Sequence, residues 1–293
     1  MSYFIQLIVD GLATGAIYAA LALAIVLVNR ATGLINFAPG AMAVMATFVA
    51  FAVTQAGAPV IVGLVVAFAF AFVLGATVER VVVRRFEGGD PDTAVVVTIG
   101  LLVLFSGISA AFFGYQPQPF PSLFPLETID VLGVFISIRS LGTIAVLLVA
   151  MVLLQGLFRA TKLGLAMRAV ADNPTSSALS GLPVSRLLMV GWGLAAGLGS
   201  IAGVLVAPQL FISPGMLDFA LVYALAAAIL GGLDSPVGAV VAAGFIGVVE
   251  NLAGAYVDFI GDDLKIAVPF VAMIVILILR PQGLFGRKAV VRI

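Results

Sequence analysis

Apolar residues fall into nine long runs along the chain, at 5–28, 34–53, 60–83, 94–113, 141–158, 185–206, 219–233, 236–255 and 265–279, with polar connections between them. Most of these runs are close to the roughly 20 residues a helix needs to cross a bilayer core. Two runs differ. The run 34–53 opens with Asn36 and Pro39-Gly40, and 219–233 is short and ends in Gly231-Gly232. Irregular backbone is tolerated at membrane depth only where it is buried in protein or lines a polar cavity. Both are therefore candidates for broken or re-entrant helices, and eight or ten spans stay open beside nine. The predicted fold is an all-α polytopic membrane protein with one transmembrane domain over 1–293.

Two connections are more than turns. Segment 114–139 carries Pro117, Pro119, Pro121 and Pro125 and predicts a compact cap outside the bilayer. Segment 163–183 is a polar, amphipathic interruption between two long apolar runs. Asn173 followed by Pro174 is a helix start, a capping side chain with proline at the first helical position. Gly181 and Pro183 form a helix stop. The pattern predicts a short helix outside the membrane, presented to a soluble partner.

Composition agrees with a membrane chain: 63% hydrophobic and 10% charged residues, with a mean hydropathy of +1.26. No polar stretch is long enough for a separate soluble domain, so an energy-supplying or ligand-capturing domain would sit on another chain. The zero net charge argues against nucleic acid as a partner. With neither histidine nor cysteine present, disulfides, thiol chemistry and the usual transition-metal ligands are excluded, and no metal site is expected. The first run is too long for a signal peptide and has no basic leader, so it is expected to be a retained span. Placing the N-terminus outside and the C-terminus inside collects twelve of the fourteen cationic residues on the cytoplasmic side: Arg30, Arg80, Arg84, Arg85, Arg159, Lys162, Arg168, Arg186, Arg280, Arg287, Lys288 and Arg292. Arg139 and Lys265 are left outside, with Glu127, Asp130, Asp218, Asp258, Asp262 and Asp263.

Small and polar residues inside the runs carry the remaining information. Gly11 and Gly15, Gly193 and Gly197, and Gly199 and Gly203 are four apart, which puts small residues on one helical face for close backbone contact. Packing within one subunit accounts for such pairs; the first span can also face a second subunit or the transport path. Asp10, Thr14 and Tyr18 form a stripe at i, i+4 and i+8. A carboxylate at membrane depth is a functional candidate, although snorkelling or an internal hydrogen bond satisfies Asp10 equally well. Glu250-Asn251 allow the same two readings. Glu79-Arg80 read as an interfacial feature and Trp192 as packing or interface. Asn36 and Phe37, ahead of Pro39-Gly40, either aim free N–H groups at a ligand carboxylate or cap an ordinary helix start. No G-x-x-x-x-G-K-[ST], H-E-x-x-H or G-x-S-x-G motif is present, so the chain is not expected to be an enzyme.

Four stretches together resemble one family. They are Gly11 to Leu23 continuing through Asn29 to Gly40; the polar segment with Gly164, Ala166, Arg168, Ala169, Asp172, Asn173, Ala178 and Gly181; Gly231-Gly232 through Ser235-Pro236-Val237-Gly238-Ala239; and Leu279 through Gly286. The chain resembles the LivH-type integral-membrane permeases of bacterial ABC importers for branched-chain amino acids, over essentially its whole length. Asp234 departs from the pattern, at a turn where relatives often carry glycine. Of the E-A-A signature of other importer classes, only an echo at Ala178 and Gly181 is present.

The resemblance implies a multi-pass subunit of the bacterial inner membrane. It works with a second permease subunit, taken as a distinct homologous chain, two cytoplasmic ATPases and an extracytoplasmic amino-acid-binding protein. ATP and Mg belong to the ATPases, and this chain has no cofactor. Gly164, Arg168, Asp172, Asn173, Ala178 and Gly181 become the coupling segment that contacts the ATPase. Thr14, Tyr18, Asn36 and Phe37 are the pathway candidates, since a hydrophobic amino acid needs apolar walls and a few polar groups. Similar permeases for urea or short amides stay open as alternatives. So does a self-sufficient secondary carrier or channel using Asp10 and Glu250.

Overall fold

In the computed structural model the chain runs through α1 (Ser2–Thr32), α2 (Pro39–Gln55), α3 (Val60–Val81), a 3-10 turn at Val83–Phe86 and α4 (Pro91–Phe113). Strands β1 (Thr128–Val131) and β2 (Val134–Ser137) follow, then α5 (Ile138–Ala160), α6 (Lys162–Asp172), α7 (Pro174–Leu179), α8 (Val184–Leu210), α9 (Asp218–Gly231), α10 (Pro236–Tyr256) and α11 (Ala267–Leu279). The structure describes residues 2–86, 91–131, 134–257, 264, 267–280 and 283–286. Of the charges used for orientation, Asp258, Asp262, Asp263, Lys265, Arg287, Lys288 and Arg292 lie outside the described residues, as does Pro281-Gln282 of the C-terminal stretch.

Among the described residues six helices are long and apolar enough to cross a membrane, namely α1, α3, α4, α5, α8 and α10, while α2, α9 and α11 are shorter. The nine apolar runs thus resolve into six full-length and three short helices. The two runs with polar or glycine-rich ends are among the short ones, and so is 265–279, which had no such signal. Helices α1 and α8 are 78% buried over their most apolar windows, against 22–33% for the other four long helices. They form the axis of the bundle and are apolar on every face because neighbours surround them. The outer helices turn Val65, Val73, Val103 and Val152 outward, as lipid-facing helices do.

Glycines set how close the axis helices come to their neighbours. A Cβ on Gly11 would lie 2.7 Å from the Val248 Cα of α10, and one on Gly15 would lie 2.9 Å from the Gly244 Cα. Gly193 and Gly197 receive the rings of Phe72 and Phe68 from α3, and Gly199 and Gly203 receive Ala43 and Thr47 of α2. All three glycine pairs therefore pack within the chain.

Helix α2 begins beside Gly199, about halfway along α8, because Pro39 and Ala43 are its neighbours there. Residues 33–38 reach that depth without helical structure. Their backbone is partly satisfied by Thr98 of α4, which donates to the Ile35 carbonyl at 3.3 Å. Helix α9 has a similar opening: residues 211–217 precede it, starting at Phe211, a non-glycine residue with φ 59°, and Ile212 pairs with Gln118. The two openings converge, since a Cβ on Gly40 would lie 3.4 Å from the Leu221 Cβ.

Two expectations need correction. Segment 114–139 contains an antiparallel hairpin, with Thr128 opposite Ser137 and Val131 opposite Val134, so the fold is helical but not purely so. Its Thr-Ile-Asp-Val and Val-Phe-Ile-Ser runs are rich in β-branched residues that suit a pleated ribbon. The polar interruption is two helices, not one: α6 runs to Asp172 and α7 starts afresh at Pro174.

Candidate functional site

The polar interruption builds a compact two-helix projection. Thr161 caps α6 by accepting from the Gly164 N–H at 3.0 Å. Gly164 sits directly on the backbone of Leu157 and Phe158, so a side chain there has no room. Met167 and Val170 pack with Leu187 and Leu188 of α8, which anchors the buried face of α6. Asn173 ends α6 and caps α7, its Oδ1 accepting from Ser176 N–H at 2.9 Å. Gly181 closes the segment at φ 82°, in the left-handed region. Of the coupling candidates, Gly164 is buried, while Arg168, Asp172, Asn173, Ala178 and Gly181 are exposed. Two apolar side chains project with them, Leu165 at 61% and Leu179 at 87% exposure. Neither leucine, nor the Thr161 cap, was singled out from the sequence; the capping pattern at Thr161 was visible but masked by the apolar run it follows.

Two hollows flank this projection. One, of about 450 Å³, lies between α1, α5, α6 and α10, with Arg30, Arg159 and Arg168 among its lining residues. The other, about 790 Å³, is lined by Asn29, Arg30, Asp172, Thr175 and Asp234 among others. Asp234, the departure from the family pattern, thus faces the same hollow as Asp172.

Inside the bundle, the α1 stripe meets α10 and α5. Ser140 Oγ donates to Asp10 Oδ1 at 3.1 Å. Thr14 Oγ1 donates to its own helix, at the Asp10 carbonyl. The Tyr18 hydroxyl donates to Glu250 Oε2 at 3.0 Å, and its ring stacks on Tyr223 of α9 with centroids 4.8 Å apart. Tyr223 thus lies beside the same carboxylate, and Asn251 Nδ2 donates to the Leu7 carbonyl at 3.4 Å. The carboxylate at 250 therefore accepts from Tyr18 of α1, whose ring is stacked on Tyr223 of α9. Asn36 is buried, and its Oδ1 accepts from Ala38 N–H at 2.9 Å, so it orders the unwound entry to α2. Thr14, Tyr18, Asn36 and Phe37 do not line either of the two hollows. Tyr223 was missed in the sequence because nothing in a short apolar run marks one tyrosine as a partner of a distant carboxylate.

Other polar residues have structural partners. Glu79 is fully buried and pairs with Arg84, not Arg80, through Nη2–Oε2 at 2.8 Å and Nε–Oε1 at 3.2 Å. Arg84 also reaches the Ser185 carbonyl at 3.2 Å, tying the 3-10 turn to the start of α8. Trp192 is buried against Gly75. Two of the stretches that carry the family resemblance meet in space: Gly231 and Gly238 touch backbone to backbone, and Leu284 N–H donates to the Leu230 carbonyl at 2.8 Å.

A multi-pass helical bundle with two short helices that open irregularly, a buried polar cluster and a projecting helix pair defines the class of polytopic helical membrane proteins. Residues 7–277 match the family described as "Branched-chain amino acid transport system / permease component", and the chain belongs to that family. It is 28% identical to the high-affinity branched-chain amino acid transport system permease protein BraD of Pseudomonas aeruginosa, over 99% of this chain and 98% of that one. It is 27% identical to the corresponding permease protein LivH of Escherichia coli, with the same coverage. Among solved structures, PsaBC from Streptococcus pneumoniae in complex with Fab has a TM-score of 0.47 and 14% identity over 94% of this chain and 91% of that one.

Proposed function

We propose that this chain is the permease subunit of an ABC importer that moves branched-chain, hydrophobic amino acids across the bacterial inner membrane. Two separate ATPases drive it, a second permease subunit completes the pathway, and an extracytoplasmic binding protein delivers the cargo. The N-terminus is outside and the C-terminus cytoplasmic, with nine traverses counted over six full and three short helices. The cargo rests on the names of its full-length relatives. The observation that carries the coupling role is the α6–α7 pair, ordered by its own caps yet exposing Leu165, Arg168 and Leu179.

In this mechanism ATP, with Mg, binds on the ATPases and draws them together. Helices α6 and α7 sit in a cleft of the ATPase and pass its motion to α5 and α8, to which they are joined without slack. Motion is transmitted only if nucleotide-bound ATPase makes different contacts with the two permease states. Tyr18, with Glu250 and Tyr223, is the polar station on the path; Thr14, Asn36 and Phe37 shape its approach. Leucine uptake into proteoliposomes holding the assembled importer tests the proposal. ATP-dependent uptake that Arg168→Glu and Asn173→Pro abolish is expected. Uptake by this chain alone, driven by an ion gradient, would replace the proposal with the secondary-carrier reading through Asp10 and Glu250.

A further inference from the structure

We infer that the 450 Å³ hollow between α1, α5, α6 and α10 is a binding site for an anionic phospholipid. Its walls are hydrocarbon, and they open to the membrane: Leu148, Val152 and Val241 line it and are 49%, 68% and 51% exposed. A site with such an open apolar side is filled by an acyl chain in a bilayer. Its rim is cationic. Arg30 ends α1, Arg159 ends α5 and Arg168 projects from α6. None of the three has an ion-pair partner among the described residues. Asp172 and Asp234 line the neighbouring hollow, which Arg30 also borders, while Arg159 and Arg168 line this one alone.

Three guanidinium groups without an ion pair among the described residues, beside a greasy slot, match one chemistry, a negatively charged headgroup on a hydrocarbon tail. Guanidinium binds phosphate oxygens in bidentate fashion and is weakly hydrated. The N-terminal turn of α10, with Pro236 and Val237 in the lining, adds the positive end of a helix dipole. Basic pockets between helices on the cytoplasmic side are suited to acidic lipid headgroups. A zwitterionic lipid offers the same tail but no net charge to satisfy the rim. Arg30 and Arg159 belong to membrane-spanning helices and Arg168 to the helix that projects towards the ATPase. One headgroup therefore ties the projection to the bundle, and occupancy of the site braces α6.

The test is native mass spectrometry of the full chain released from phosphatidylcholine nanodiscs containing a minority of phosphatidylglycerol. The wild type is expected to retain phosphatidylglycerol well above its share of the bilayer. The pair Arg30→Gln and Arg159→Gln is expected to lower that preference about fivefold for each cation removed, about 25-fold together. Arg30→Lys with Arg159→Lys keeps most of it. A photo-reactive label on Val241→Cys, with the arginines intact, is expected to transfer to lipid. Equal retention of the two lipids by the wild type, or an unchanged preference in the glutamine pair, would overturn the inference. Transfer of the label to a second permease subunit when the labelled chain sits in the assembled importer, or displacement of the lipid by leucine, would overturn it too, in favour of an interface or a transport path.

Discussion

The closeness of α1 and α10 sets the geometry of the intramembrane polar cluster, and one alanine tests it. Tyr18 follows Gly15 by three residues and Glu250 follows Gly247 by three, so each lies on the face that makes the glycine contact. A Cβ on Gly247 would fall 2.6 Å from the Gly15 nitrogen and 2.7 Å from its Cα, and would also meet the Gly11 carbonyl. All three are backbone atoms, so no side chain can rotate away. Relief requires the helices to separate by roughly 1 Å, a gap that forfeits a quarter to a half of the dispersion along the contact. Gly247→Ala is therefore expected to destabilise the chain by about 2–3 kcal/mol, in the range of overpacking. The Tyr18–Glu250 hydrogen bond, now 3.0 Å, would be stretched beyond hydrogen-bonding range. Gly107→Ala on the exposed face of α4 meets nothing within 4 Å and should stabilise by about 0.5–1 kcal/mol through helix propensity. Denaturation by increasing SDS in mixed micelles measures both. Once one Cβ has pushed the helices apart, a second costs less, so Gly15→Ala with Gly247→Ala should fall short of the sum of the singles. Equal stability for Gly247→Ala and Gly107→Ala, or simple additivity in the double variant, would refute the reasoning.

Other perturbations separate the remaining elements. Arg84→Ala leaves the buried Glu79 carboxylate without its partner and should cost about 3 kcal/mol, read by the same denaturation; the Glu79→Gln, Arg84→Ala double variant should recover part of it. Asn173→Ala removes the α7 cap and should cost about 1 kcal/mol locally, seen as faster amide exchange at Ser176 with little change in global stability. Tyr18→Phe removes a donor to Glu250 and should cost about 1–3 kcal/mol; combining it with Glu250→Gln should be less than additive. Leu179→Asp places a charge on the most exposed leucine of the projection and is expected to abolish ATPase co-purification while leaving the denaturation midpoint of the isolated chain unchanged.

Much of the bundle was legible because the length of a hydrocarbon run speaks directly to a bilayer. The broken opening of α2 showed as Asn36 and Pro39-Gly40, and α9 as a short run ending in Gly231-Gly232, while its opening at 211–217 carried no mark. The glycine pairs also showed, since i, i+4 spacing leaves small residues few other uses in a helix, although only the folded chain shows that Gly11 and Gly15 face Gly244 and Gly247. The short α11 was not distinguishable, because an apolar run gives no sign of where hydrogen bonding stops. The division of the projection into α6 and α7 was half visible. Asn173-Pro174 marked a start, but the same asparagine also ends a preceding helix, and a cap read as a beginning hides what comes before it. Of the intramembrane stripe, Tyr18 was visible as a polar group in lipid, while its pairing with Glu250, 232 residues away, depends on the α1–α10 register, which spacing within one helix cannot supply. The Glu79–Arg84 pair was hidden for a different reason: α3 ends at Val81 and Arg84 lies in the 3-10 turn beyond it, where helical spacing does not apply.

The projection α6–α7 as the contact with the ATPase is tested most directly by a cross-link at its tip. The chain has no cysteine, so Leu179→Cys introduces a single thiol that can carry a photo-reactive label in native membranes. Transfer of the label to a nucleotide-binding ATPase subunit, strengthened or weakened by ATP, is the predicted result. No transfer to any ATPase, from a chain that remains folded and transports leucine without one, would contradict the account.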